Sequence, residues 1–474
     1  MLEKLRSIYL QILSAGIIIF LILIPLMPKI PFLGVSETYV SIRLEDFIIG
    51  LFAFLLLPII WKERKILLRD NLILAILGFW IIGFFSVFGA IFITHSVVPH
   101  LAILHYLRRI EYMVPFLIIY TTRPELPKIK NYFKILILTS ITVFIYGIGQ
   151  MYLNFPVFST TNKEFSKGIM LSLGSGARVN STFAGHYDLA AYLALILVVL
   201  ISFLFVASSG IRGKILKLFL LVLIISDFWL LLQTASRISF SAYLAGAAVV
   251  LLLLKKRAFL VILLFISLVS LLSSDEIRLR FFNTFKYGIK TVSGQVVLKK
   301  AFALIPTQST SSATQDAILD ETNKPYKDIV PGEPEDPTQV GVYRSSRVRF
   351  DFEWPAAIRG FLRNPIMGSG YSSLGIATDN DYLRSLGEVG LAGTVAFALI
   401  FIEIGKRIKS FLKKPRMLNF EKITVIGLTG VIFAFLVNAT FIDVFEASKI
   451  AILFWMLIGF LVVTIKKVDE TQIN

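Results

Sequence analysis

Twelve apolar stretches limit what this chain can fold into. They occupy residues 9–27, 44–60, 72–93, 101–120, 132–153, 187–207, 214–233, 238–254, 258–272, 385–405, 423–441 and 447–465. Most approach the ~20 residues that an α-helix needs to cross a bilayer. Over 474 residues, 56% are hydrophobic and 17% charged, with a mean hydropathy of +0.77. A soluble domain carries about 25% charge, so lipid must form part of this chain's solvent. The expectation is an all-α, polytopic membrane protein of about twelve transmembrane helices.

The basic residues support that reading. A net charge of +17 would suit nucleic acid if it were gathered on one face. Here Lys and Arg cluster in short segments between apolar runs, as at residues 61–71, 121–134, 208–217, 255–257 and 406–422. The short loops on the other side hold only Lys29, Arg43, Lys163, Lys167, Arg178, Arg237 and Lys449. This is the positive-inside bias of a membrane protein. It predicts both termini in the cytoplasm, a multi-pass protein of the cytoplasmic membrane, and no nucleic-acid partner. The first run ends in Pro25, Pro28 and Lys29 without a small-residue cleavage site, which predicts a retained signal anchor.

Three parts follow. Residues 1–272 form an N-terminal bundle of nine helices, 273–384 a large extracytoplasmic loop, and 385–474 three C-terminal helices. Within the loop, 275–300 reads as a surface-lying amphipathic helix and 304–341 as a flexible excursion rich in Thr, Ser, Pro and Asp. Helical character returns at 345–363. Ser345 and Ser346 can cap it, Trp354, Ile358 and Leu362 recur at spacings of four, and Asn364-Pro365 ends it. Pro355 is expected to bend or split this helix.

The chain has no Cys, which excludes disulfides, thiolate catalysis and Cys-ligated metal. His95, His100, His105 and His186 show no HExxH spacing. Neither a metal nor a cofactor is expected. Chemistry has to come from Arg and carboxylates. Arg178 lies just before the 187–207 run, where it either snorkels to headgroups or binds a ligand. Arg237 stands in the tight turn Gln233-Thr234-Ala235-Ser236-Arg237, as an interfacial anchor or as a planar fork of donors for phosphate. Arg108 and Arg109 lie inside an apolar run, at a cost of roughly 2.5–3.5 kcal/mol each on insertion scales. They imply a partner, with Glu111 the nearest, or an anionic ligand. Arg347, Arg349, Asp351 and Glu353 are on the loop helix, where Arg347 and Asp351 are spaced to pair.

Asp379, Asn380 and Asp381 precede the 385–405 run. Clustered carboxylates there suit a general base for a hydroxyl, and also a helix N-cap. Asp188 is a weaker candidate, and Asp227 reads as a contact between helices. Basic groups from four distant segments on one side of the membrane would be explained by a single ligand, a lipid-linked pyrophosphate.

Several segments in order carry a family resemblance. They are Arg178 to Leu193, Thr234-Ala235-Ser236-Arg237, Arg349 with Trp354, Asn364-Pro365 and Gly368-Ser369-Gly370. Asp379-Asn380-Asp381-Tyr382-Leu383 follows, leading to Glu388-Val389-Gly390-Leu391-Ala392-Gly393, and last comes Asn438 to Trp455 with Asp443 and Phe454. Over about residues 170–465 the chain resembles the O-antigen ligase/polymerase family of membrane glycosyltransferases. The resemblance implies a GT-C-type polytopic fold and metal-independent transfer of a glycan from an undecaprenyl-pyrophosphate-type carrier to an acceptor hydroxyl. It implies Arg178, Arg237 and Arg349, with Arg108, Arg109 and Arg347 behind them, as pyrophosphate ligands. Asp379 would be the base, supported by Asp381. Ligases of the family carry His-Asn where this chain has Asp379-Asn380, which tilts the expectation toward a polysaccharide polymerase. An O-antigen ligase and a protein O-oligosaccharyltransferase remain as alternatives, and a transporter of lipid-linked sugar as a third class.

Overall fold

The computed structural model describes residues 2–29, 31–35, 41–157, 173, 177–206, 210–273, 348–375, 377–414 and 419–473. The amphipathic helix expected at 275–300, the excursion at 304–341, the caps Ser345 and Ser346, and Arg347 lie outside them.

The protein is built from helices: α1 (Leu2–Leu26), α2 (Leu44–Leu67), α3 (Asn71–Phe92), α4 (Pro99–Glu111), α5 (Val114–Thr122), α6 (Leu126–Tyr152), α7 (His186–Phe203), α8 (Gly210–Gln233), α9 (Arg237–Leu253) and α10 (Arg257–Ser273). A π-helix (Val348–Glu353), α11 (Trp354–Arg363), α12 (Asp381–Lys413), α13 (Phe420–Asn438) and α14 (Ser448–Ile473) follow. Two short antiparallel strands, β1 (Pro31–Leu33) and β2 (Ile42–Arg43), join α1 to α2.

Nine helices among the described residues are long and apolar enough to cross a membrane, as a multi-pass membrane protein requires. α9 and α10 are shorter apolar helices. The expected span 101–120 is instead a broken pair. α4 ends at Glu111 and α5 starts at Val114, with Pro115 in its first turn. Proline has no N–H and its ring clashes with the carbonyl four residues back, which favours a break between the two segments.

The apolar length of α14 is wholly buried, and α7 and α13 are mostly buried, whereas α2 and α8 are mostly exposed. A helix that is apolar all round belongs inside a bundle. The exposed apolar faces of the outer helices carry Phe54, Trp61, Ile225 and Phe265 and are suited to hydrocarbon. α9 and α13 cross closely. A Cβ on Gly246 would lie 2.6 Å from the Gly430 carbonyl oxygen, and a Cβ on Gly430 2.6 Å from that of Gly246. Only hydrogen at both positions lets the backbones approach this far.

α12 is interrupted. Gly390 has φ 66° and ψ −167°, a region open essentially to glycine alone. The turn at 365–370 fills the break. Leu391 N–H donates to the Pro365 carbonyl (2.8 Å) and Ala392 N–H to that of Ile366 (3.0 Å). In return Ser369 and Gly370 N–H donate to the Gly387 and Glu388 carbonyls, both at 2.8 Å. The expected 345–363 helix also divides. A π-helix runs to Glu353, and α11 starts at Trp354 with Pro355 in its first turn and Asn364 at its C-cap.

Candidate functional site

Four segments meet around the start of α7. The turn 178–185 is fixed by Gln150 of α6, which accepts from Ser181 N–H (2.7 Å) and donates to the Ser181 carbonyl (2.9 Å). Arg178 Nη1 lies 2.6 Å from His186 Nε2, and the His186 ring rests 4.1 Å from that of Tyr187. Arg237 is the first residue of α9. Ala235 before it has φ +49°, and Ser236 caps the helix by accepting from Ser239 N–H. Arg349 is on the π-helix, a geometry frequent at functional sites, and pairs with Asp379 Oδ2 at 2.6 Å.

The charges of Arg349, Arg178, Asp379 and Arg237 all act on the Tyr187 hydroxyl. Arg237 in turn responds to Arg349 and Arg178. Three guanidinium groups far apart in sequence therefore share one environment with one carboxylate and one phenol.

Asp379 has φ +48°, a conformation that Asp tolerates better than most residues. The loop around it is clamped by Asp443, in the turn between α13 and α14. Asp443 accepts from Thr378 N–H (2.8 Å), Asn380 N–H (3.1 Å) and Arg384 Nη1 (2.7 Å). Of the three clustered residues it is Asn380 that caps α12, accepting from Leu383 N–H at 3.0 Å. Burial raises the Asp379 pKa, the Arg349 cation opposes that rise, and the Asp443 carboxylate adds to it. Burial works against the Arg349 cation, but Asp379 outweighs it and holds its proton more firmly than usual.

The other predicted site residues lie elsewhere. Asp381 accepts from Phe445 N–H (3.2 Å) and donates its own N–H to the Ala439 carbonyl (3.0 Å), which ties the start of α12 to the turn after α13. Arg109 forms an ion pair with Glu446, lies 3.5 Å from Glu388, and covers the Tyr371 ring at 5.4 Å. Arg384 joins the same group through Glu388 (3.3 Å) and Glu446 (3.4 Å). A small pocket borders this network, lined by Arg109, Tyr371, Arg384 and Glu388 among aromatic side chains. Arg108 turns away to the Ser41 carbonyl (3.1 Å) and Asp46 (4.0 Å). Asp188 pairs with Lys29 at 3.0 Å. Asp227 of α8 accepts from Ser140 Oγ of α6 at 2.6 Å, a contact between helices as expected. Among the described residues no cluster of His, Asp or Glu is arranged to hold a metal ion.

Sequence reasoning gave no role to Tyr187, Arg384 or Glu353. Tyr187 carries no pattern that marks it. Arg384 could have been suspected, because a cation in the first turn of a helix faces the positive end of its dipole and needs a carboxylate nearby.

No family model matches the chain, and no curated protein matches it in sequence.

Proposed function

We propose that this protein is a membrane glycosyltransferase that moves a glycan from a polyprenyl-pyrophosphate carrier to an acceptor hydroxyl, as a polysaccharide polymerase at the outer face of the cytoplasmic membrane. One observation carries the reading: Arg178, Arg237 and Arg349 share an environment beside Asp379. Guanidinium groups from three distant segments gather their donors in one place, which suits a diphosphate headgroup. The carrier's tail needs lipid, which the exposed apolar helices reach. The ordered motifs that resemble the O-antigen ligase/polymerase family support the same class.

The acceptor oxygen attacks the anomeric carbon. The bond from that carbon to the phosphate oxygen breaks, and its electron pair leaves with the carrier pyrophosphate. The guanidinium groups stabilise the charge that develops there. A carboxylate beside them takes the acceptor's proton. No step calls on a metal.

Arg237→Ala is expected to lower transfer by ~10²-fold or more, since removing one preorganised donor to a developing anion costs about that, while the protein still inserts and stays monodisperse. Normal polymer length in a strain carrying only this variant would refute the reading. The surface glycan of a deletion strain separates the two acceptor classes. Single repeat units on the core mark a polymerase, and carrier-bound polymer with a bare core marks a ligase.

A further inference from the structure

Asp379 is poorly placed to be the only base. It sits 2.6 Å from Arg349, so one of its two oxygens is already engaged by a guanidinium. A second carboxyl lies in the same group. Glu353 ends the π-helix one turn after Arg349. Its Oε2 is buried and has no hydrogen-bond partner among the described residues. A buried acceptor left without a donor costs about 1–3 kcal/mol, so an oxygen without a partner among the described residues is open to the hydroxyl of an acceptor.

We infer that Glu353 is the catalytic base, receiving the acceptor's hydroxyl proton on its free carboxylate oxygen, while Asp379 serves as the counter-ion that orients Arg349 toward the pyrophosphate. This rests on the transferase reading and refines it. The balance is simple. The acceptor O–H proton goes to Glu353, the acceptor oxygen bonds to the anomeric carbon, and the carrier pyrophosphate leaves with the electron pair of the broken C–O bond.

The surroundings of Glu353 suit the task. Asp379 faces it from the loop before α12, Arg349 from its own π-helix, Asp443 from the turn after α13 and Arg384 from α12. Burial, then the repulsion of Asp379, pushes the Glu353 pKa up to about 8, against the pull of Arg349. A base is most effective when its pKa lies near the working pH, and Glu353 meets that condition. The sign is fixed: a base must be ionised, so turnover rises with pH through a midpoint near 8.

The test uses the full-length protein in nanodiscs and lipid-linked oligosaccharide extracted from the source cells. Glu353→Gln is expected to lose ~10²-fold or more in kcat, with the KM for the lipid-linked donor within about threefold of wild type. The residual activity should have no rise near pH 8. Glu353→Asp should restore part of kcat. Asp379→Asn should act mainly on KM and move the pH midpoint down, because it removes the repulsion that helps raise Glu353. A Glu353→Gln protein within about threefold of wild-type kcat, with the wild-type pH profile, overturns the assignment and leaves the transferase reading standing. If Glu353→Gln fails to fold, the wild-type profile decides: turnover flat between about pH 6 and pH 9 overturns it too. A wild-type protein that transfers no glycan sinks both.

Discussion

Gly390→Ala tests the most specific piece of backbone in the molecule. Gly390 occupies a conformation with φ 66° and ψ −167° that costs a residue with a Cβ about 1–3 kcal/mol. Space is a separate obstacle. The new methyl would lie 2.4 Å from the Ile366 carbonyl oxygen and 2.5 Å from Gly368 N, inside any real contact, and both neighbours are backbone. The 365–370 turn would have to back out of the α12 break. That threatens the four hydrogen bonds joining the two segments, each worth about 0.5–1.5 kcal/mol net. Together a loss of roughly 3–5 kcal/mol is expected, allowing for partial relaxation. Gly405→Ala is the control. It lies on the same helix with nothing within 4 Å of the added methyl, and alanine there should be neutral or stabilising by up to about 1 kcal/mol. Denaturant titration of the purified protein, followed by tryptophan fluorescence and by the monodisperse fraction on gel filtration, measures both. If the two variants unfold at the same denaturant concentration, the break in α12 is not held as described.

Two other contacts give separable outcomes. Asp70 caps α3 through Leu72 N–H (2.9 Å), takes the Tyr120 hydroxyl and Arg407, and lies 3.7 Å from Lys466. Asp70→Ala should cost ~3–5 kcal/mol, as removing one partner of a largely buried ion pair does, and Asp70→Asn less because the cap survives; an Asp70→Asn protein as stable as wild type in the same unfolding assay would mean the ion pairs contribute nothing. Gly246→Ala should cost ~1–3 kcal/mol by driving α9 from α13, and wild-type stability would show that the crossing is looser than 2.6 Å implies.

Hydropathy located most helices to within a few residues. The run 72–93 became Asn71–Phe92, and 258–272 became Arg257–Ser273. It failed where charge enters the protein interior. The run 385–405 starts four residues late, because Asp381 and Arg384 read as loop when each charge is weighed against lipid. Both are buried and partnered. The same blindness applies to Arg108 and Arg109. They are neighbours on α4, so their side chains point about 100° apart. One meets the start of α2 and the other the turn before α14. Which carboxylate each would find depends on segments some 60 and 340 positions away, and no local pattern carries that information. Arg178, Arg237 and Arg349 were legible for the opposite reason. Each lies at a turn or helix start in a largely apolar chain, where a cation stands out.

That placement is also why the site accumulates positive charge. Tyr187 and Arg237 stand at the first turns of α7 and α9, and Asp379 two residues before α12. Three helix N-termini thus open toward the same group, each with its first N–H groups lacking carbonyls from its own helix and with the positive end of its dipole leading. Adding three guanidinium groups to that point opposes ordinary helix design, which favours acidic residues there. The fold bears the cost by fixing the surrounding backbone. Gln150 holds the turn before α7, Asp443 the loop before α12, and the Gly390 break sets the first half of α12 in place. Asp379 and Glu353 are the carboxyl groups set beside Arg349. An anion with several oxygens, bound where Tyr187 presents its hydroxyl, would complete the arrangement, and a diphosphate has the charge and the number of acceptors to meet all three arginines at once.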